Sequence, residues 1–376
     1  MPPEFKAELA ERYVTCVPGE INVATGPELL DITQSWIDGL SENCSDMSAS
    51  IVDPAVDTEV PIDVVITAPG QTPECNAIAA SPVGIDAVAV SVSVEGLDGV
   101  IFTPALLHRA LSGGMTSWAD PELQELNPDI ELSDTPVVVR AATRPQDAAA
   151  LNEWMSRIDS AGWPAIPSGL VSDASLDVDT VITELETEGT IAIVPASLVT
   201  NNSLQTISIQ TQTDVEPVYV TVESVISAGT QMVATTSDSF VTAELDASLP
   251  PIPAAGNDVA SLPWQALNQF TLTVCAGENE EAGRAFARYA LRLESQGAMT
   301  SFGFTEMPEQ VRIAGVDAVS QGLPEPTIPP SAEPVEVPEE ISTDAPTEEV
   351  TEEPSEEPTE EPLEEVTDEA SPEPTS

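Results

Sequence analysis

The sequence is short of positive charge. Its 376 residues carry ten Lys and Arg against 65 Asp and Glu, a formal net charge of −55, and Lys6 is the one lysine. A nucleic-acid or anionic-membrane binder working through a basic patch is thereby excluded. Any anion would have to be held by arginine, backbone amides or hydroxyls. Histidine is scarcer still: His108 alone leaves a Ser/His/Asp or Cys/His device with a single base. It falls in the helical stretch LLHRAL, where a structural role is the simpler reading. No GxSxG or P-loop pattern occurs. Acidic stretches such as Asp173, Asp177 and Asp179 offer oxygens to calcium but lack the Gly and terminal Glu of an EF-hand loop. No enzyme, no cofactor and no metal site are therefore expected. No apolar run reaches the ~18 residues of a membrane span, and the opening MPPEFKAELAERYV has no signal core.

Cysteine is sparse but even in number. Cys16, Cys44, Cys75 and Cys275 form no CxxC pair, a spacing that suits structural disulfides better than a metal site. This favours an extracellular or cell-surface domain whose signal and anchor lie outside the chain, against the alternative of four buried thiols in a cytosolic protein.

Acid is abundant and uneven. Residues 331–376 hold 18 of the Asp and Glu, no base, and a proline every few positions. Low hydrophobicity and self-repulsion leave nothing to offset ordering entropy, so 323–376 is expected to be a disordered Pro/Glu-rich tail, extended as a stalk or merely solubilising. At 376 residues the chain allows one bilobal unit or two to three small domains.

Ahead of that tail, β-branched apolar runs alternate with helical patterns, the signature of an α/β protein with mainly parallel strands. The spacing predicts a helix over 4–14, a strand over 21–25, and a helix opened by Pro27 with Leu29, Leu30, Ile32, Trp36, Ile37 and Leu40 at helical spacing. Strands over 48–52 and 62–67 follow, with no helix in the loop DPAVDTEVP between them. Residues 83–94 are long for a strand and suit a crossing between two lobes. A helix from Thr103, a strand over 136–140, a helix over 145–158 and strands over 190–194 and 267–275 come next, then an amphipathic helix over 279–296. Of the three possible cysteine pairings, Cys16–Cys44 with Cys75–Cys275 is favoured, because Cys16 and Cys44 each sit just before strands expected to be parallel neighbours.

Residues 101–140 combine a helix over 106–111, Gly113-Gly114, Trp118, Asp120-Pro121, 126–128 as Leu-Asn-Pro, and a strand ending in Arg140. Each piece has a plain structural use: Trp118 and Leu126 as core, Asp120-Pro121 as a turn or helix start, Gly113-Gly114 as a helix stop. In order and spacing together, the segment resembles the phosphate-binding protein of bacterial ABC phosphate uptake systems. The Gly-led strand at 189–194 and the segment from Gly303-Phe304 to Met307-Pro308 echo it. The resemblance implies an α/β, two-lobed type II periplasmic-binding-protein-like fold, with 1–88 and 262–322 as one lobe and 89–261 as the other.

It also implies a ligand site made of helix N-termini, hydroxyls, an arginine and an acidic acceptor. Arg140 matches the family arginine. The Ser-Gly-Thr after it is replaced by Arg144-Pro145-Gln146, with Thr143 as a helix cap and Arg144 either replacing donors with charge or facing solvent. Thr25 and Gly26 are shifted candidates at the first strand's end. The family's ligand Asp would fall near Thr67, and its Ser-Gly contact would lie in DPAVDTEVP; neither has a counterpart. Two readings stand: a solute-binding protein capturing a small oxyanion such as phosphate, or an altered ligand, for ABC transporter membrane subunits; or a ligand-free interaction or sensing module meeting a cell-surface partner on its acidic stalk.

Overall fold

A computed structural model of the chain describes residues 3–56, 60–140, 144–166, 170, 178–253 and 257–324. The chain divides into Met1–Thr327 and Ile328–Ser376; the second unit, and with it almost all of the expected tail, lies outside the described residues.

The first unit opens with α1 (Pro3–Arg12), β1 (Gly19–Thr25), α2 (Leu30–Asn43), β2 (Met47–Val52), β3 (Val64–Thr67) and β4 (Ala77–Ser93). The middle of the chain gives β5 (Ile101–Phe102), α3 (Pro104–Leu111), α4 (Pro121–Leu126), β6 (Val138–Val139), α5 (Pro145–Ile158), α6 (Val178–Leu185), β7 (Thr190–Pro195), α7 (Ala196–Asn202), β8 (Ser208–Ile209), β9 (Val218–Tyr219), α8 (Val222–Gly229) and the hairpin β10 (Met232–Ser237) with β11 (Phe240–Leu245). The chain returns through β12 (Leu267–Cys275), α9 (Glu280–Ala290), α10 (Leu293–Gly297) and α11 (Glu309–Val319). No described residue between β2 and β3 is helical.

Nine strands make one sheet, ordered β10-β11-β4-β12-β3-β1-β2 with β7 on β4 and β6 on β7, and β5, β8 and β9 make a second. The main sheet is mixed rather than mainly parallel. β1 pairs in parallel with β2 and β3, but β12 runs antiparallel to both β3 and β4, and β4 antiparallel to β7. The cause is β4 itself. Seventeen residues long and buried along most of its length, it outlasts a single sheet partner, pairing with β12 from Ala77 to Ala87 and with β7 from Val88 to Ser93.

Two large apolar clusters flank this changeover. One gathers Ile21, Trp36, Phe270 and Phe286 from β1, α2, β12 and α9. The other gathers Val90, Trp118, Trp154, Trp163 and Trp264 around the far half of β4. Within it the punctuation of 101–140 does what its chemistry suggests. Asp120 caps α4 through the amides of Glu122 and Leu123, Gly113 follows α3 with φ 76°, and the Trp118 indole donates to Gly189 O at 3.0 Å. His108 packs edge-on against Trp163 and its ring meets Ala165 O.

Both expected disulfides are present, Cys16–Cys44 and Cys75–Cys275. The helix expected over 279–296 is instead broken, because Arg292 is extended (φ −69°, ψ 149°) and caps α10, while its guanidinium turns to Glu11 O and Glu294. Among the described residues no helix is long and apolar enough to cross a membrane, and no group of three or more His, Cys, Asp or Glu could hold a metal.

Candidate binding site

The site grows from one anomaly in β4, a carboxylate in the run VGIDAVAV. Asp86 lies opposite Asn268 of β12, one residue before the strand's last partner on β12. Such a changeover leaves a crevice at the strand ends, the usual place for a ligand in an α/β sheet. Asp86 is buried and its oxygens are satisfied. Ser197, at the start of α7, donates its amide to Oδ1 (3.1 Å) and its hydroxyl to Oδ2 (3.0 Å).

The third donor arrives from α5. Pro145 opens that helix and Arg144 is its N-cap residue, in extended conformation. Arg144 does not face solvent. It is 4% exposed, donating from Nη2 to Asp86 Oδ2 (3.0 Å) and from Nε and Nη2 to the Asp147 carboxylate (2.8 to 3.1 Å). Asn268 Nδ2 also donates to Asp147 Oδ1 (2.8 Å). One guanidinium thus serves two fully buried carboxylates, and the four groups lock α5, β4 and β12 together.

A third acid leans on this network. Glu28, just past β1, bears electrostatically on both Arg144 and Asp147. A side chain at Gly26 would put its Cβ 2.7 Å from Glu28 Oε2, so the glycine is what lets that carboxylate fold back.

Beside Asn268 opens a cleft of about 590 Å³, lined by Pro69, Gly70 and Gln71 after β3, by Gln146 and Glu153 of α5, and by Leu267 and Asn268 of β12. Of the residues singled out in the sequence, Thr25 ends β1 with a buried hydroxyl lacking a partner among the described residues. Arg140 follows β6, its amide donating to Ile191 O (3.0 Å) and its Nε buried without a hydrogen bond among the described residues. The Thr67 hydroxyl lies 3.5 Å from Thr271 O and turns back into the sheet. Thr143 lies outside the described residues, as do Asp173 and Asp177. Asp86, Asp147, Ser197, Asn268 and Glu28 were not singled out. Asp86 had a readable signal, a lone carboxylate in an apolar strand; the others had none.

Burial raises the Asp147 carboxyl to about 6, against the opposing pull of Arg144 and with help from Asp86 and Glu28. Burial likewise raises Asp86, partly offset by Arg144 and Ser197. For Arg144, burial works against the charge, but Asp147 and then Asp86 overcome it and push the pKa up. A carboxyl whose folded pKa exceeds its unfolded value keeps the folded state more protonated between the two, so its contribution to stability is present at low pH and lost as pH rises. For Asp147 the window runs from 3.8 to about 6, and at ~1.4 kcal/mol per unit the loss is on the order of 3 kcal/mol. Urea unfolding at pH 4.5 and 7.5 should therefore differ less in Asp147→Asn than in the wild type, by about 2 kcal/mol of that total, because pH 4.5 already lies inside the window.

No family model matches the chain. By sequence, phosphate-binding protein PstS 3 of Mycobacterium leprae is 27% identical over 154 residues, which are 38% of this chain and 41% of that protein. The chain therefore matches about two fifths of that relative's length. By structure, the ancestral soluble variant of the Human Phosphate Binding Protein superposes with a TM-score of 0.53 at 13% identity, covering 79% of this chain and 93% of that one. A periplasmic phosphate-binding protein, PfluDING, bound with phosphate, gives 0.51 at 13% identity, covering 82% and 100%. The fold is phosphate-binding-protein-like. Within that fold, the point where β4 changes partners carries an arginine whose charge is already met by two carboxylates.

Proposed function

We propose that the chain is an extracytoplasmic solute-binding protein whose cleft takes a small polar ligand, neutral or cationic, in place of the phosphate dianion, and hands it to ABC transporter membrane subunits. In this reading 1–88 and 262–322 form one lobe and 89–261 the other, hinged at β4 and β12, with the β10–β11 hairpin reaching back to hydrogen-bond beside Ala80. Thr25, Gly26, Thr67, Arg140, Thr143 and Arg144 remain its proposed ligand-side residues, with Gln71, Gln146 and Asn268 added. It catalyses no reaction.

The observation that carries the reading is the Arg144 network. Two buried carboxylates outnumber one guanidinium, and Glu28 adds a further negative charge nearby. At the low effective dielectric of a buried site, that excess opposes a dianion at short range and favours amide-rich or cationic recognition. The cleft's polar lining, three amides and the Glu153 carboxylate, suits such a ligand.

Isothermal titration with phosphate and sulfate should give no saturable heat below millimolar concentration. A thermal-shift panel of amino acids, amines, sugars and polyols should give at least one response that Gln146→Ala abolishes. Micromolar phosphate binding lost in Arg140→Ala would restore a phosphate receptor. No response from either set would leave the second reading, a ligand-free surface module, which the absence of a helix among the described residues between β2 and β3 favours.

A further inference from the structure

The scarce positive charge of this chain is gathered a second time, away from the cleft. Arg288 of α9, Arg292 just after it and Arg312 of α11 are all buried, at 5%, 8% and 4% exposure. One carboxylate lies among them, paired directly with Arg312 alone. Glu11 of α1 accepts from Arg312 Nη1 (2.6 Å) through one oxygen and from the Leu293 amide (2.8 Å) through the other, and its backbone oxygen accepts from Arg292 Nη2 (3.1 Å). The second acid, Glu294, lies 3.3 Å from Arg292 with a side chain 78% exposed. Four guanidinium nitrogens, Arg288 Nε, Arg292 Nε and Nη1, and Arg312 Nε, are buried with no hydrogen-bond partner among the described residues. Tyr289 covers Arg292, its ring centroid 5.3 Å from the guanidinium carbon.

Buried donors are normally satisfied and buried cations normally paired, and leaving them otherwise is costly. Three buried guanidinium groups against one half-buried carboxylate, Glu11, and one exposed one, Glu294, are therefore an incomplete ion cluster. Arg288 shows the strain: burial, and then the neighbouring Arg292, lower its pKa, with only Glu11 opposing.

We infer that the α9–α11 arginine nest is an anion site separate from the cleft, for a small oxyanion offering two or more acceptor oxygens, in which Glu11 is the built-in occupant and α1 the strap that carries it. Arginine forks match such oxygens in pairs. The bound oxyanion takes the place of the Glu11 carboxylate on Arg312 and reaches the idle nitrogens that a single side-chain carboxylate leaves unmet. A tethered competitor acts at an effective concentration in the millimolar range, so the intact protein binds free anion weakly.

The test uses the full chain and inorganic sulfate, titrated at constant ionic strength. Wild type should bind with a millimolar Kd, and amide exchange in α1 should quicken as the site fills. Glu11→Gln removes the competing charge yet keeps an oxygen for the Leu293 amide, and should tighten binding at least tenfold. Arg288→Met should abolish saturation, whereas Arg140→Ala, after β6, should leave it unchanged, which separates this site from any anion held at Arg140. The inference is overturned if sulfate neither saturates Glu11→Gln nor alters α1 exchange in wild type. It is equally overturned if the response survives Arg288→Met or disappears in Arg140→Ala. Should Glu11→Gln fail to fold, α1 exchange in wild type and in Arg292→Lys, which keeps charge but loses the fork, decides: a sulfate response weakened in the lysine variant supports the site, and an equal response overturns it.

Discussion

Arg144→Met should destabilise the protein by about 3–5 kcal/mol at pH 7.5, the usual cost of removing one partner from a buried ion cluster. The substitution keeps an unbranched chain in the space but leaves Asp86 and Asp147, both fully buried, facing each other without a cation. Ser197 still donates twice to Asp86, and Asn268 once to Asp147. Those neutral donors lessen the repulsion and do not cancel it. The two carboxyls therefore take up protons in the folded state, at pKa values higher than in the wild type because the lowering influence of Arg144 is gone. Raised folded pKa values add stability that survives at low pH and disappears as pH rises. Most of the loss should accordingly be recovered near pH 4.5, so urea midpoints of variant and wild type converge there and separate above pH 6. Combining Arg144→Met with Asp86→Asn and Asp147→Asn should bring back much of the stability at pH 7.5, since no uncompensated charge is then left inside. An Arg144→Met protein as stable as wild type at pH 7.5 would show that the cluster is open to water and would remove the electrostatic case against a dianion.

The scaffold was far more readable in the sequence than the site, for a physical reason. Strand and helix placement follows from local periodicity. Pro145 opening α5, Thr103 capping α3 and the uninterrupted apolar character of β4 each act within a few residues of themselves. The disulfide pairing was accessible on the same footing, because parallel neighbours β1 and β2 bring the residues before them to one sheet edge. What periodicity could not show was the direction of pairing around β12, which depends on how the chain returns after 200 residues.

The site depends on contacts that no local pattern encodes. Arg144 and Asp147 are three apart on one helix start, but their meaning comes from Asp86, 58 residues away, and Asn268, 121 away. An arginine in so acidic a chain would be expected outside, where counter-charge is plentiful. Instead Arg144, Arg288, Arg292 and Arg312 are all buried. Surplus carboxylates repel each other on the surface whatever the bases do, whereas a buried carboxylate needs its partner at hydrogen-bond distance. The few cations are therefore most useful inside, and composition alone points the wrong way.

Loss of the Cys75–Cys275 bridge should be the costlier of the two disulfide deletions. The bridge ties the segment before β4 to the last residue of β12, closing a loop of 200 residues, while Cys16–Cys44 closes 28. In the chain-entropy description the unfolded-state constraint grows with the logarithm of loop length, giving about 5 kcal/mol for the long bridge and between about 3 and 4 kcal/mol for the short one. The long bridge also encloses every element from β4 to β12, including the Asp86–Arg144–Asp147 cluster, so releasing it frees the unfolded chain over the whole span between the two crossing strands. Urea unfolding of Cys75→Ser/Cys275→Ser and of Cys16→Ser/Cys44→Ser, each with the other bridge intact, measures both losses directly. Equal losses, or a larger one for the short bridge, would mean that the unfolded chain keeps residual structure across 75–275, and that the long loop is already restrained without its covalent link.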